Sequence, residues 1–248
     1  MNKKAFTLAE VLITLGIIGI VSAITLPVLT KKYQEKILVT QLKRSYSDLE
    51  NALRLYATTN SCSDISCISD TSTTTNELTQ KLYQQFTGAK YCEVGNKSPQ
   101  CINVKLKGNT PVNDGYGNTI AGDKFRKPYF ITKSNSAYQV LQYSECPRKV
   151  ITNKRDENGN FIIGADGKPE TTTNISNVCA TFYIDTNGTL KGPNQFGADI
   201  FKFDLYYDGK FKPNGIYFGK TITTGKLYYT PYNIGTETVS YTHLTLPT

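Results

Sequence analysis

"FTLAEVLITLGIIGIVSAITLP", Phe6 to Pro27, decides how this chain is organised, because Glu10 is the one charged residue between Phe6 and Leu26. At about 1.5 Å of rise per residue a helix over this run is roughly 31 Å long, enough to cross a hydrocarbon core of about 30 Å. The run reads as a membrane span. A removable secretory signal competes with that reading, since Met1-Asn2-Lys3-Lys4 sets positive charge ahead of the apolar run. Secretory apolar regions are roughly 7 to 15 residues long and end at a small-residue cleavage site. This one is longer and passes Ser22-Ala23-Ile24 into Thr25-Leu26-Pro27 and a helix-like stretch, which favours retention of the span. The positive flank then stays in the cytoplasm and everything after Lys31 lies outside.

The stretch Lys3-Lys4-Ala5-Phe6-Thr7-Leu8-Ala9-Glu10-Val11-Leu12-Ile13 resembles the processing site of type IV prepilins and type II secretion pseudopilins. In that family a prepilin peptidase removes the leader, methylates the new amine and leaves the apolar helix in the mature subunit. The resemblance implies a leader at residues 1–5, cleavage between Ala5 and Phe6, and N-methylation of Phe6. Ala5 stands where the family usually has Gly; both are small, so cleavage is expected. It also implies that Glu10 pairs with the Phe6 amine of a neighbouring subunit, setting the axial step between helices. Snorkelling of Glu10 to the headgroups, or contact with its own N-terminus, is the local alternative. Gly19 and Pro27 fall where pilins carry helix-loosening residues. Pro27 lacks an N–H and its ring clashes with the preceding turn, so a kink or local unwinding is expected, simple termination being the alternative.

After Pro27, Leu38, Leu42, Tyr46, Leu49, Leu53 and Tyr56 recur at three- and four-residue intervals and lay an apolar stripe along a helix. Lys36, Gln41, Lys43, Arg44, Asp48, Glu50 and Arg54 make a solvated opposite face. One long helix is therefore expected over residues 6–58, with a membrane half at 6–26 and an amphipathic half that covers a globular domain. A coiled-coil partner is a weaker use of the stripe, which spans fewer than three heptads. The chain of 248 residues leaves room for one external domain, residues 59–238, large enough for its own core. Lys and Arg exceed Asp and Glu by 8, yet no basic tract with interleaved aromatics stands out, so the charge argues for solubility more than for nucleic acid.

Cys62, Cys67, Cys92, Cys101, Cys146 and Cys179 all follow the span. An even number on the outer side of a membrane points to disulfides, and proximity suggests Cys62 with Cys67, Cys92 with Cys101 and Cys146 with Cys179, although six cysteines allow 15 pairings. Zinc is a poor alternative, since no CxxC pair occurs and no histidine lies near a cysteine. The single histidine, His243, falls in "VSYTHLTLPT", residues 239–248, which resembles a translated sequencing adapter; a natural polar tail is the competing reading. A non-native tail would mean that the true carboxyl end is missing. Without His243 the chain has no histidine, which removes Ser/His/Asp, Cys/His and His-metal chemistry, and no close carboxylate pair stands out. The sequence does not read as an enzyme.

Thr58 to Glu77 is Ser/Thr-rich without apolar period and predicts an exposed loop. Glu77 to Gly88 predicts a short helix with Asn76 as N-cap and Gly88 as its stop. Tyr129–Thr132 and Ala137–Tyr143 bracket a Lys-Ser-Asn-Ser turn and predict a hairpin; Val178–Ile184, Ile200–Tyr206 and Lys226–Tyr229 are further strand candidates. Asp156 to Glu170 predicts a protruding polar loop or hairpin. The sum is an α+β fold, a long helix on an antiparallel sheet, which is the build of the pilins that the N-terminus resembles. Tyr183 to Gly215, "YIDTNGTLKGPNQFGADIFKFDLYYDGKFKPNG", resembles a segment of pseudopilin-like proteins in which an Asp-x-Asn-Gly turn leads through Gly-Pro-Asn into a Gly-x-Asp-x-Phe strand. Asp185, Asn187 and Asp199 are candidate oxygen ligands for Ca²⁺, though the spacing is not that of an EF-hand and a metal-free turn is the favoured reading. Phe201, Phe203 and Leu205 alternate and are expected to face the core.

These readings point to a filament subunit, of a type IV pilus or a type II secretion pseudopilus, held in a bacterial inner membrane before assembly. Its expected partners are the prepilin peptidase, other pilin or pseudopilin subunits and an inner-membrane assembly platform, with nucleic acid left open through a DNA-uptake pilin. A static bitopic anchor carrying an external binding domain is the alternative.

Overall fold

A computed structural model describes residues 7–69, 72–93, 95–102, 112–113, 119–120, 125, 128–157, 160–214 and 221–227. Two compact units make up the chain, Met1–Ile37 and Leu38–Thr248. Helix α1, Leu8–Thr59, is unbroken through Pro27. In the first unit its described residues are exposed almost throughout, although most of them up to Leu29 are apolar.

In the second unit α1 buries Val39, Leu42, Ser45, Leu49, Ala52, Leu53, Tyr56 and Ala57. Leu42, Leu49 and Leu53 have no exposed surface, and each contributes about 1.5–3 kcal/mol by leaving water. The stripe is thus used inside the chain, against its own sheet. Tyr46 stacks on Phe211 at 5.5 Å and lies 5.2 Å from Phe203. The small residue Ser45 allows close approach: its hydroxyl lies 2.9 Å from that of Ser136, and its carbonyl accepts from the Tyr138 hydroxyl at 3.2 Å.

Ten strands follow in chain order: β1 Lys90–Tyr91, β2 Val112–Asn113, β3 Thr119–Ile120, β4 Phe130–Ile131, β5 Ala137–Gln142, β6 Arg148–Asn153, β7 Thr171–Ser176, β8 Val178–Asp185, β9 Ile200–Tyr206 and β10 Phe211–Pro213. The main sheet has the order β1-β4-β5-β8-β9-β10, and all of its pairings are antiparallel. Cross-strand register sets Tyr138, Ile184 and Phe201 in one row and Val140, Phe182 and Phe203 in the next. That face meets α1, and Phe201, Phe203 and Leu205 are fully buried on it. The opposite face carries Tyr183, Asp185 and Ile200, with the rings of Phe125 and Phe196 beside Tyr183.

Some local expectations are corrected. The second helix, α2, is Thr75–Tyr83, and its N-cap is Thr74 rather than Asn76. Thr74 and Glu77 form a reciprocal capping box, which satisfies two end groups where a lone Asn satisfies one. Gly88, at φ +73°, lies beyond the helix in the turn that follows. The Ser/Thr-rich stretch after α1 is not wholly an exposed loop: a 3₁₀ turn at Ile65–Ser69 sends Ile68 into the core. The expected polar hairpin is present: bridges Arg155–Phe161 and Ile163–Pro169 extend the two-stranded ribbon of β6 and β7. In the last strand candidate Lys226 and Leu227 join no strand, and residues 228–229 lie outside the described residues.

Candidate functional site

The segment singled out by the sequence begins with residues 1–6, so Ala5 and Phe6 lie outside the described residues. From Thr7 the chain is described, and Glu10 sits in the first turn of α1. Its Oε2 accepts from the Thr7 amide at 2.8 Å and the Thr7 hydroxyl at 2.9 Å, while the Glu10 amide donates to the Thr7 hydroxyl at 3.3 Å. This is a capping box: an amide and a hydroxyl next to the helix start find an acceptor, and the carboxylate faces the positive end of the helix dipole. The pattern Thr7-x-x-Glu10 carries that signal, and the contact falls on the local side of the two alternatives for Glu10.

Leu12, Ile13, Leu15, Ile17, Ile18, Ile20, Ile24, Leu26 and Leu29 are each more than half exposed. Among the described residues, α1 is the helix long and apolar enough to cross a membrane. A Cβ at Gly16 or Gly19 meets nothing within 4 Å, so neither glycine is required by packing inside this chain. Pro27 lies within α1, and the Thr30 hydroxyl donates back to the carbonyls of Leu26 and Pro27 at 3.0 Å each.

The six cysteines form three disulfides, Cys62–Cys67, Cys92–Cys101 and Cys146–Cys179, leaving none free. The first closes the turn after α1, the second ties β1 to the short 3₁₀ turn Pro99–Cys101, and the third clamps the base of the β6–β7 ribbon to β8.

The other distinctive stretch is the loop between β8 and β9. Asp185 ends β8 opposite Ile200, the first residue of β9, so Asp199 lies one residue beyond the pairing. The structure brings Asp185, Asn187 and Asp199 together and adds Asn194, which the reading of the sequence did not select. Asp185 and Asp199 have no exposed surface, and Asn187 is 7% exposed. The Oδ1 of Asp185 accepts from the Asn187 amide at 3.2 Å and the Gly188 amide at 2.8 Å. The two oxygens of Asp199 accept from the Gln195 and Asn194 amides at 2.7 Å each. Gly188 makes the turn at φ +89°, and a Cβ there would fall 2.4 Å from the Asn135 carbonyl oxygen. The β4–β5 turn braces the loop, through Asn135 to the Asn187 carbonyl at 3.0 Å and Ser136 to the Thr186 carbonyl at 3.1 Å.

Burial pushes the Asp185 carboxyl up to about 8, with the charge of Asp199 adding to the rise. Burial likewise raises Asp199 to about 6, against the opposing backbone N–H bonds from Gln195 and Asn194. Three oxygens in the loop, Asp185 Oδ2, Asn187 Oδ1 and Asn194 Oδ1, are buried without a hydrogen-bond partner. No group of three or more His, Cys, Asp or Glu side chains converges among the described residues.

Compared with known families, residues 1–26 match the model described as the prokaryotic N-terminal methylation motif. No curated protein and no solved structure matches the chain. The match includes residues 1–5, Phe6, Glu10 and Gly19, and stops one residue before Pro27. The chain carries the prepilin-type N-terminal methylation segment found in type IV pilins and pseudopilins.

Proposed function

We propose that this chain is a filament subunit, cut before Phe6, methylated there, and assembled from a bacterial inner membrane by packing its apolar helix against those of its neighbours. The observation that carries the reading is the helix itself. The 18-residue apolar window of α1 has no residue buried within the chain, and a single acid, Glu10, stands near its start. A carboxylate at the bilayer centre costs up to about 2.5–3.5 kcal/mol, and less near the interface. Cleavage creates a cationic amine four residues earlier, and pairing that amine on one subunit with Glu10 on the next offsets the cost inside a low-dielectric bundle. The prepilin peptidase, sister subunits and an inner-membrane platform are the partners, and the role is structural rather than enzymatic.

The static-anchor reading has one observation in its favour: the Glu10 carboxylate is already bonded within its own chain, to Thr7. The two readings part on Glu10→Val. In the filament reading this variant inserts and is cleaved normally, as shown by mass spectrometry of an N-methyl-Phe6 peptide, while its recovery in sheared filaments falls at least about tenfold, the consequence of losing about 1.4 kcal/mol or more of docking energy. Filament recovery equal to the parent at equal expression would overturn the docking role and favour the anchor.

A further inference from the structure

The β6–β7 ribbon prolongs the β5–β8 pair beyond the main sheet. Asn177 alone separates β7 from β8, and β9 follows β8 as far as the Tyr207 amide, which donates to the Asn177 carbonyl at 3.0 Å. The edge of β7 on the β9 side is thereby left open, and among the described residues β6 and β7 form a sheet of two strands. The register identifies the backbone groups on that edge. Lys154 donates its amide to the Glu170 carbonyl directly opposite, so alternate pairs from there, Thr152 with Thr172, Val150 with Asn174 and Arg148 with Ser176, bond across the ribbon. Thr171, Thr173 and Ile175 therefore turn their N–H and C=O groups outward. Their side chains share a face with Lys149, Ile151 and Asn153, where Ile151 is 69% and Ile175 62% exposed.

Open edges are normally blunted by lysine, proline, a bulge or an inward charge. The β6 edge carries Arg148 and Lys149. In contrast β7, Thr171–Ser176, has no charge, no proline and no glycine, and is mostly β-branched, a composition that favours addition of another strand. We propose that β7 pairs antiparallel with β7 of a second copy of this chain, about a two-fold axis at Thr173. This register sets Thr171 opposite the second copy's Ile175 and Thr173 opposite its own counterpart. Each outward residue then exchanges both an N–H and a C=O, whereas a centre at Thr172 or Asn174 leaves Ile175 or Thr171 unused. No side chain of β7 meets a like charge across the seam, and Ile151 and Thr173 of the two copies line one row. The contact is isologous and closes at two chains. A pairing of six residues is too small to hold two free chains together, so it operates where chains are already concentrated in a membrane, and it needs no filament.

Full-length chains with one added cysteine, reconstituted densely in vesicles of phosphatidylethanolamine and phosphatidylglycerol and oxidised with diamide, report the register as disulfide-linked dimers on a non-reducing gel. The two Thr173 Cα atoms would lie about 5.5 Å apart, within the reach of a disulfide, and two Thr171 or two Ile175 Cα atoms about 14 Å apart, beyond it. Thr173→Cys is expected to cross-link well above Asn153→Cys on the β6 edge, with Thr171→Cys and Ile175→Cys singly at the level of that control. Differently tagged Thr171→Cys and Ile175→Cys chains, mixed, should form the mixed dimer, and adding Thr173→Lys to both should abolish it by opposing two ammonium groups at the axis. The unmodified chain supplies an independent measure: hydrogen exchange at the amides of Thr171, Thr173 and Ile175 slows as the chain-to-lipid ratio rises, while exchange at Lys149, Ile151 and Asn153 does not. Equal dimer yields from Thr171→Cys and Thr173→Cys, the mark of random collision, overturn the proposal. Exchange at Thr173 that ignores chain density also overturns it and leaves the edge to water or to a different protein.

Discussion

The pH dependence of stability isolates what burial of the two carboxylates at the β8–β9 loop costs the fold. The folded state raises Asp185 from an ordinary 3.8 to about 8 and Asp199 to about 6. The sign follows directly. With folded values above the unfolded ones, the folded chain holds protons that the unfolded chain has released, so the associated stability is complete below about pH 4 and declines as pH rises toward 8. Each proton of difference contributes about 1.4 kcal/mol per pH unit. Between pH 6 and 8 Asp185 alone therefore removes on the order of 2–3 kcal/mol, a sizeable part of a typical 5–15 kcal/mol domain stability. With a urea slope of about 2 kcal/mol per molar, the unfolding midpoint should fall by roughly 1 M over that interval. The six cysteines are disulfide-bonded and do not titrate in this window, whereas Asp199, raised to about 6, adds a smaller loss of the same sign at its lower end. Urea titrations in EGTA at closely spaced pH values supply the measurement, and Asp185→Asn should flatten the upper part of the profile. A parent whose midpoint is level or rises from pH 6 to 8 would refute the argument that Asp185 is buried and poorly compensated.

Two other perturbations test the fold around the site. Gly188→Ala combines φ +89° with a Cβ placed 2.4 Å from the Asn135 carbonyl oxygen, whereas Gly167→Ala carries φ +76° with nothing within 4 Å. The second should cost about 1–2 kcal/mol from backbone strain alone and the first clearly more, so equal urea midpoints for the two would show that Gly188 is not clamped against the β4–β5 turn. Thiol labelling of the unfolded, unreduced chain should leave all six cysteines unmodified, given the three disulfides, and labelling of two or more would contradict that framework.

The parts of this fold that were legible in the sequence are those where burial is one-sided. Leu42, Leu49 and Leu53 repeat with the helical period, and Phe201, Phe203 and Leu205 alternate as a strand does, so each betrays the face it buries. The β6–β7 ribbon was invisible as strands because both of its faces are largely solvated: Lys149, Ile151 and Asn153 lie opposite Ile175, Thr173 and Thr171, and no apolar alternation results. Short β1, β2, β3 and β10 offer two or three residues each, too few for any period. At the candidate site, Asp185, Asn187 and Asp199 stand out through the resemblance of Tyr183 to Gly215 to a pseudopilin-like segment and through their oxygen-bearing side chains. Asn194 did not, since only the fold, by anchoring its amide nitrogen on the Thr189 carbonyl, turns its oxygen into a buried acceptor.

Asp204 shows what a buried acid in this domain looks like when the chain supplies everything itself. It is 1% exposed, accepts from the Thr181 hydroxyl at 2.7 Å and from the Asn214 amide, and has the Lys202 ammonium 3.6 Å away. Its charge has a counter-charge and its oxygens have donors, so it needs nothing from outside and serves to lock β8 to β9. Asp185 is buried as deeply on β8, yet one of its oxygens has no donor and its charged neighbour has the same sign. Glu10 differs in another way: Thr7 satisfies its hydrogen bonds, but no cation from the described chain reaches it, and it sits at the start of an apolar helix. An acid with complete internal compensation is a structural element, whereas one left short of a donor or of positive charge calls for something the folded chain does not contain. By that criterion Glu10 and Asp185 stand apart from Asp204 among the described residues, and for Glu10 the partner we propose is the cationic amine of a neighbouring subunit.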